Sequence, residues 1–322
     1  MIHKVWGGLI PILALLLASC AVDPSYPLLA SRFPLPPAGT DVVGGLAVVR
    51  AHARDLLADV ARHFDLGHDE ILDANPTVNP SLPGEGARIL LPTQHILPPG
   101  QRQGIVVNLA SLRLYYYPAD GRTVITHPVG IGRGSWATPE GSAWIVGKDI
   151  DPVWHVPVSI RIESARLGAA LPASVSAGPD NPLGQYALRL NLPGYLIHGT
   201  NRPYGVGMRV SHGCVNLYPE DISALFPEVP IKTRVLILNR PVLVGRIAGR
   251  PYLEVHSSEE AATVAQVRQA AQEAGIDPVE VDWDIASHVA QAAIGVPLPI
   301  YRNAPTHESA LAAVPVVEWS VR

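Results

Sequence analysis

The spacing of apolar residues divides the chain into three zones, and the first zone covers residues 41–93. There Leu56, Val60, Ala61 and Phe64 recur at the period of one helical face, and Gly67 follows as a stop signal. A second short helix is predicted over 69–74, and short strands over 47–50 and 88–91. The predicted order is strand, helix, helix, strand, which describes a small α+β domain.

The second zone begins at Gly104 and consists of short apolar runs, most of them bounded by Gly, Pro, Asn or Asp. This pattern predicts a mainly β domain over residues 104–239, folded as a β-sandwich or barrel. One helix is predicted after Tyr218, because Pro219 suits a first helical turn and Pro227 closes it. The predicted strands cover 105–109, 112–117, 124–129, 144–146, 187–190, 195–198 and 234–238.

The third zone, residues 240–322, is predicted to be a C-terminal extension with helices. Val264, Val267 and Ala271 form an apolar stripe, and Ser257 to Glu260 fits a capping box at its start. A second helix is predicted over 283–293. No residue pattern in this zone indicates chemistry.

The N-terminus, MIHKVWGGLIPILALLLASC, combines one early lysine with an apolar stretch that is too short to span a bilayer. Residues 1–19 are therefore predicted to be a signal peptide. LASC resembles the bacterial lipobox, which implies that Cys20 is lipidated and that residues 20–40 form a tether. The alternative is an ordinary signal peptide with Cys20 incidental. Because Ala21 is not aspartate, the resemblance implies a periplasmic protein with a lipid anchor in the outer membrane.

The composition narrows the functional classes. Hydrophobic residues make up 48% of the chain, so a packed core is feasible. The 32 prolines and 28 glycines favour short strands over long helices. The net charge is −4 and there is no basic run, which argues against a nucleic-acid partner.

Cys214 is the second of only two cysteines and lies in the stretch SHGCVNL. Export would place it in an oxidising compartment, and a lipidated Cys20 would leave it without a disulfide partner. Such a thiol is either buried and inert or reactive. Arg209 precedes it, so a positive neighbour could lower the pKa of the thiol. The amides around Gly213 and Cys214 are candidate oxyanion donors.

Two histidines compete for the role of the base. His198 ends a predicted strand that could lie beside the SHGC segment. His212 lies two residues before Cys214, so in an extended segment both side chains face the same way. Spacing alone leaves both open. A zinc site made by these three residues is the weaker alternative, because no further cysteine lies nearby.

The segment HGTNRPYGVGMRVSHGCVNL, residues 198–217, resembles the signature of the L,D-transpeptidases with a YkuD-type catalytic domain. GIGRGSWATPEG, residues 130–141, is similar to the Thr-Pro-x-Gly segment of that family. The order of lipobox, small module and catalytic domain, with the phrase NLASLRLYYYP, resembles the ErfK/YbiS/YcfS/YnhG branch. The likeness covers about residues 41–256.

The resemblance implies a role for each residue of the motif. Cys214 is the nucleophile, and His198 is the base, oriented by the backbone carbonyl of Gly199 in a variant of the triad arrangement. The resemblance assigns the supporting roles as follows: Ser211, His212 and Gly213 shape the site and its oxyanion hole, and Arg209 and Asn216 hold the loop or contact substrate. Trp136, Trp154 and Tyr186 are candidates for the lining of the donor groove.

The resemblance also implies peptidoglycan stem peptides as substrates, carbapenem-type inhibitors and no cofactor. The thiolate would attack the carbonyl of the third residue of a tetrapeptide, release D-alanine and form a thioester. An amine of another stem would then give a 3–3 cross-link, and an amine of an outer-membrane lipoprotein would attach that lipoprotein. The alternatives are a hydrolase on the same scaffold and a non-catalytic peptidoglycan-binding lipoprotein.

Residues 57–92, LADVARHFDLGHDEILDANPTVNPSLPGEGARILLP, resemble a LysM domain, a small module that binds the glycan of peptidoglycan. The closing half, with ANP and the last strand, carries the likeness. In the opening half AHARDLL stands where the family has a Gly-Asp-Thr-Leu turn. The alternative is a spacer domain that keeps only the fold.

Overall fold

The structure is a computed structural model, and it describes residues 31–257 and 261–319. The predicted signal peptide, Cys20, the first part of the tether and most of the predicted capping box at Ser257–Glu260 lie outside these residues. Within the described part of the chain, no helix has the length and apolar character that crossing a membrane requires.

The elements are short, as the frequent Pro and Gly predict. The strands are β1 (Arg32–Pro34), β2 (Val42–Gly44), β3 (Ala47–Arg50), β4 (Arg88–Leu91), β5 (Gln94–Ile96), β6 (Gly104–Asn108), β7 (Arg113–Tyr117), β8 (Thr123–Pro128), β9 (Ile131–Gly132), β10 (Gly141–Ile150), β11 (Trp154–His155), β12 (Ser174–Val175), β13 (Tyr186–Leu190), β14 (Leu196–His198), β15 (Arg209–Ser211), β16 (Val215–Asn216), β17 (Arg234–Leu238), β18 (Val242–Ile247), β19 (Arg250–Val255) and β20 (Leu298–Pro299). The α-helices are α1 (Leu57–His63), α2 (His68–Ala74), α3 (Val158–Arg166), α4 (Pro219–Glu228), α5 (Val264–Glu273), α6 (Trp283–Ala292) and α7 (His307–Ala312).

Nine strands form one sheet in the order β1-β8-β7-β6-β17-β10-β13-β14-β16. Neighbours run antiparallel except for the parallel pairs β6–β17 and β14–β16. One face buries Leu114, Ile145 and Leu188 completely, and α4 adds Ile222 and Leu225 to the same core. The prediction of a mainly β domain is confirmed, in the form of one curled sheet.

The N-terminal module, residues 41–97, contains β3, α1, α2 and β4 in the predicted order. β3 and β4 pair antiparallel, and β2 pairs with β5 beside them. The two helices bury Leu57, Val60 and Ile71 against Ile89 of β4, so the predicted helical face is the one that packs. This small core extends from β3 through the two helices to β4.

The tether predicted over residues 20–40 is wrong in its last part. Residues Arg32–Pro34 form β1, an edge strand paired with β8. Phe33 and Leu35 pack against the sheet, and the Arg32 guanidinium forms an ion pair with Glu228 at 2.5 Å. Burial of two apolar side chains stabilises this segment on the sheet, which a Pro-rich composition does not reveal.

The C-terminal region holds more strand than the sequence predicts. β18, β19 and β20 form a three-stranded sheet, and α5 and α6 pack on it. α5 begins at a capping box of Thr263 and Gln266, later than the predicted box at residues 257–260. The segment continues to residues 315–319, which lie beside β3 of the N-terminal module.

Candidate active site

The nucleophile and base candidates lie on two neighbouring strands at the edge of the sheet. β14 and β16 run parallel, with Ile197 opposite Val215 and His198 opposite Asn216. Ile197 and Val215 are both buried in the core. Because side chains alternate between the two faces of a sheet, Cys214 and His198 both point to the opposite face.

The register also sets the separation of the two residues. A strand spacing of about 4.8 Å and two residues at roughly 3.3 Å each place the Cα atoms of Cys214 and His198 about 8 Å apart. A histidine and a cysteine side chain on the same face can meet across this diagonal. Among the hydrogen bonds of the described residues, none joins the sulfur to the imidazole. The Cys214 thiol instead lies 3.5 Å from the carbonyl oxygen of Gly194.

His198 is held in an orientation suited to a base. Its Nδ1 lies 2.5 Å from the backbone carbonyl oxygen of Gly199, as the family resemblance implies. A carbonyl can only accept, so Nδ1 carries the proton and Nε2 is left as the acceptor. Burial lowers the pKa of His198 to about 4, and the carbonyls of Gly199 and Leu183 only partly oppose this shift. The imidazole is therefore neutral at physiological pH.

The protonation state of Cys214 corrects the expectation from the sequence. Burial raises the pKa of the thiol to about 11, and a hydrogen bond from the Leu196 backbone only partly offsets the increase. Arg209 is not one of the groups that shift this pKa, and its Nη2 donates to the carbonyl oxygen of Leu109 at 2.8 Å. Burial thus favours the neutral forms of both the Cys214 thiol and the His198 imidazole.

A short hydrogen-bonded scaffold fixes the turn before Cys214. The Ser211 hydroxyl donates to the carbonyl oxygen of Cys214 at 2.7 Å and accepts the amide of Gly213 at 3.1 Å. Thr138 of the Thr-Pro-x-Gly segment donates to the carbonyl oxygen of Gly213 at 2.9 Å and accepts the amide of Gly132 at 3.0 Å. The Gly213 amide is therefore already bonded, which leaves the amide of Cys214 as the better oxyanion donor of the two predicted.

Only glycine suits position 213, because of both the backbone conformation and the neighbouring atoms. Its φ of +104° lies in a region that side-chain-bearing residues rarely adopt. A Cβ at this position would come within 2.8 Å of the Tyr195 ring. The turn consequently brings the backbone against the β13–β14 hairpin, which carries Gly194 and His198.

The His212 side chain is already engaged by neighbouring side chains. Its Nε2 lies 2.7 Å from an oxygen of Glu163 on α3, and its ring contacts Trp136 edge-on at 5.1 Å. Arg133 also reaches Glu163 at 2.7 Å. Hydrogen bonds from His212 and Arg133 lower the pKa of the Glu163 carboxyl. His212 thus connects the cysteine turn to α3.

The remaining predicted residues divide between structural and surface positions. Asn216 is buried, and its backbone exchanges two hydrogen bonds with Gly130, at 2.8 and 2.9 Å. Trp136 and Trp154 are half-buried, Trp136 on His212 and Trp154 on β11. Tyr186 is partly buried and packs against the core ring of Phe226 at 4.7 Å.

Comparison with known proteins identifies the family. Residues 102–237 match the model of the L,D-transpeptidase catalytic domain, YkuD. The chain is 37% identical over 298 residues to "Probable L,D-transpeptidase YcfS" of Escherichia coli strain K12, covering 88% of this chain and 93% of that protein. The chain belongs to the L,D-transpeptidase family. It is therefore an acyltransferase of the mainly β class described above.

Further relatives of this L,D-transpeptidase agree. The chain is 45% identical to "Probable L,D-transpeptidase ErfK/SrfK" of Salmonella typhimurium, covering 71% of this chain and 75% of the relative. "Probable L,D-transpeptidase YbiS" of Escherichia coli K12 is 41% identical over 71% of this chain and 76% of the relative. A solved structure, "Structure of the Ldtfm-avibactam carbamoyl enzyme", aligns at 24% identity with a TM-score of 0.34, over 47% of this chain and 55% of that one.

Two residues of the L,D-transpeptidase site escaped the sequence analysis. Thr138 lies inside the quoted Thr-Pro-x-Gly segment, so its threonine was the available signal. Glu163 had no sequence signal, because it lies on α3, a helix that the sequence pattern does not predict. The segment VSIRIESAR buries only Ile160 and leaves Val158 and Ile162 exposed, so it shows no apolar stripe.

Proposed function

We propose that this L,D-transpeptidase uses Cys214 as nucleophile and His198 as base to transfer the acyl group of a peptidoglycan stem peptide. The observation that carries the proposal is the shared sheet face of the two side chains, with Nδ1 of His198 committed to the Gly199 carbonyl. Nε2 is then free to accept a proton. An unactivated cysteine at a sheet edge would need neither feature.

In the first half-reaction, the thiol proton passes to Nε2 of His198 as the sulfur attacks the carbonyl carbon of the third stem residue. The oxyanion accepts the amide of Cys214. The C–N bond to D-alanine then breaks, and the imidazolium returns the proton to the departing amine. The product is a thioester at Cys214 and free D-alanine.

In the second half-reaction, an amine attacks the thioester. His198 takes a proton from the amine, the C–S bond breaks and the proton returns to the sulfur. We propose an amine of a second stem or of an outer-membrane lipoprotein as acceptor. The sequence features at residues 1–20 support export to the periplasm and lipidation of Cys20 as further proposals.

The N-terminal module is proposed to be a LysM-like domain that contacts the glycan. Support comes from the ANP segment and from the element order β3, α1, α2, β4. A surface cleft lined by Leu56, His68, Leu72 and Pro80 lies beside both helices and could receive a sugar. The C-terminal region of strands and helices is assigned no chemistry of its own.

The proposed reaction is tested with purified tetrapeptide donor and an acceptor amine, followed by mass spectrometry of the products. We expect D-alanine release, a thioester on the tryptic peptide that contains Cys214, and a new amide with the acceptor. Carbapenem acylation of the same peptide should accompany this activity. Release of a free tripeptide without acceptor product would favour hydrolysis, and an accessible Cys214 without any adduct would favour a binding protein.

A further inference from the structure

The N-terminal module contacts the segment that leads to the nucleophile. The amide of His68 donates to the carbonyl oxygen of Val206 at 3.0 Å, and the amide of Asp69 donates to that of Gly207 at 3.1 Å. Both amides belong to the first turn of α2 and have no partner within the helix. The catalytic domain supplies these partners from the stretch that joins His198 to Cys214.

The contact is close enough that only glycine fits on both sides. A Cβ on Gly67 would lie 2.7 Å from the Cα of Gly207, and a Cβ on Gly207 would lie 2.3 Å from the Cα of Gly67. The Tyr218 hydroxyl also donates to the carbonyl oxygen of Leu66 at 3.0 Å. The two backbones are therefore in direct contact, without side chains between them.

A short covalent path leads from this contact to the thiol. Met208 follows Gly207, and its carbonyl oxygen accepts the amide of Ile131 at 3.0 Å. β15 then pairs with β9 and ends at Ser211, whose hydroxyl holds the carbonyl of Cys214. A displacement of Gly207 would consequently be passed along a strand to the turn that carries the sulfur.

Buried charges fix the module at the same place. Arg113 of β7 bonds to Glu70 of α2 at 2.9 Å and to the carbonyl oxygen of Asp65 at 2.8 Å. His127 of β8 lies between the carboxylates of Asp65, at 3.2 Å, and Asp221 of α4, at 3.4 Å. Removing one partner of such a group would leave a buried charge unpaired, so the docking tolerates little sliding.

The C-terminal segment also contacts the module, at β3 and at the end of α1. The amide of Val48 donates to the carbonyl oxygen of Pro315, and the amide of Val317 donates to that of Val48, both at 2.8 Å. Trp319 contacts Phe64 and donates from its indole to the carbonyl oxygen of Arg50 at 2.8 Å. The module is thus held by contacts with both the catalytic domain and the C-terminal segment.

We infer that the N-terminal module is a positioning element of the active site, and that Gly67, with the α2 amides of His68 and Asp69, sets the position of the Cys214 turn. This inference rests on the proposed role of Cys214 and adds a function of the module that is independent of glycan binding. The residues act through Gly207 and contact no reacting atom.

The test is Gly67→Ala in the full chain, with Gly45→Ala as the matched control. Gly67 has a φ of −80°, which alanine adopts readily, so the new methyl group acts through its contact with Gly207. A Cβ on Gly45 meets no atom within 4 Å, and Gly45 lies in the same module. Both variants therefore add one methyl group to the module, but only that of Gly67→Ala contacts the catalytic segment.

The probe is meropenem, with the adduct at Cys214 followed by mass spectrometry and the rate normalised to the folded fraction. The separation of the two backbones that this contact forces should slow the first-order acylation step about 3- to 10-fold, because small misplacements of a reacting group are costly. The apparent binding constant should change little, and Gly45→Ala should behave as wild type.

A thermal melt and the variant Tyr218→Phe keep the test decisive. Tyr218→Phe removes the hydroxyl that bonds to Leu66 and should slow acylation in the same sense. A lower melting temperature with an unchanged acylation constant in both variants would mean that the module only packs, which overturns the inference. Equal slowing by Gly45→Ala would overturn it too. A wild-type protein that forms no adduct would instead refute the proposed function.

Discussion

The protonation state of Cys214 gives the sharpest prediction. With a pKa of about 11, the thiol is ionised in only about 1 molecule in 10,000 at pH 7. A free cysteine with a pKa of about 8.5 is ionised in about 3% of molecules at that pH. The thiolate population is thus about 300-fold smaller, and the stronger nucleophilicity of a more basic thiolate recovers about 10-fold. We expect alkylation of Cys214 by iodoacetamide to be about 30-fold slower than that of free cysteine.

The pH dependence separates this state from an ion pair. The alkylation rate of Cys214, followed on its own tryptic peptide, should rise about tenfold per pH unit up to about pH 10. Free cysteine levels off above about pH 8.5. The same peptide alkylated in the urea-denatured protein should follow free cysteine, which controls for the reagent. A plateau between pH 5 and 8 would reveal a thiolate–imidazolium pair and refute the reasoning from burial.

Further predictions concern activity and stability. Cys214→Ala should abolish turnover without unfolding, and His198→Ala should cost nearly as much, whereas His212→Ala should retain measurable D-alanine release. Turnover should fall as pH drops through about 4, where the His198 base becomes protonated. Thr138→Val removes two buried hydrogen bonds and should lower the free energy of unfolding in urea by about 1–3 kcal/mol. Burial opposes ionisation of His127, yet the carboxylates of Asp65 and Asp221 raise its pKa to about 10. The contribution of His127 to the free energy of unfolding is therefore complete below about pH 6.5 and is lost as the pH rises through 10. The melting temperature of His127→Gln should therefore decline less over this range than that of wild type.

The cluster around His127 bears on how that last result is interpreted. Asp65, His127 and Asp221 offer ligand atoms within 4.8 Å of one another, a spacing that a metal ion could use. Nδ1 of His127, however, lies 3.2 Å from Asp65 and 3.4 Å from Asp221, so a protonated His127 satisfies both carboxylates. The pKa of Asp65 is itself raised to about 7 by burial, which outweighs the attraction of His127. A proton-linked ion cluster accounts for these contacts.

The sequence predicts those parts of the fold that depend on local pattern. The strand 234–238 follows from a short apolar run and the helix near 57–63 from helical spacing, and both are present. β10 extends over ten residues although only three were predicted, because Gly147 and Lys148 interrupt its apolar pattern. α3 was missed because it has no apolar stripe, and β1 because it ends at Pro34 in a segment that also contains Pro36 and Pro37.

The site was predictable in composition but not in electrostatics. The motif placed Cys214 and His198 together, and the orienting carbonyl of Gly199 is present. The pKa of the sulfur depends on its burial in the fold, and the position of Arg209 is set by its bond to Leu109. Both features depend on tertiary contacts, which the local sequence does not reveal. The same holds for Thr138, which bonds to a residue 75 positions away.

A neutral resting thiol fits the environment proposed for this enzyme. Oxidation of cysteine proceeds through the thiolate, so a thiol that is ionised in about 1 molecule in 10,000 at pH 7 should survive longer in an oxidising compartment. The cost is that the proton must leave during the reaction, and His198 with its unprotonated Nε2 can accept it only if the sulfur is correctly placed. We therefore expect the rate to depend on the position of the Cys214 turn. This is why a contact as remote as Gly67 on Gly207 should be visible in the acylation step.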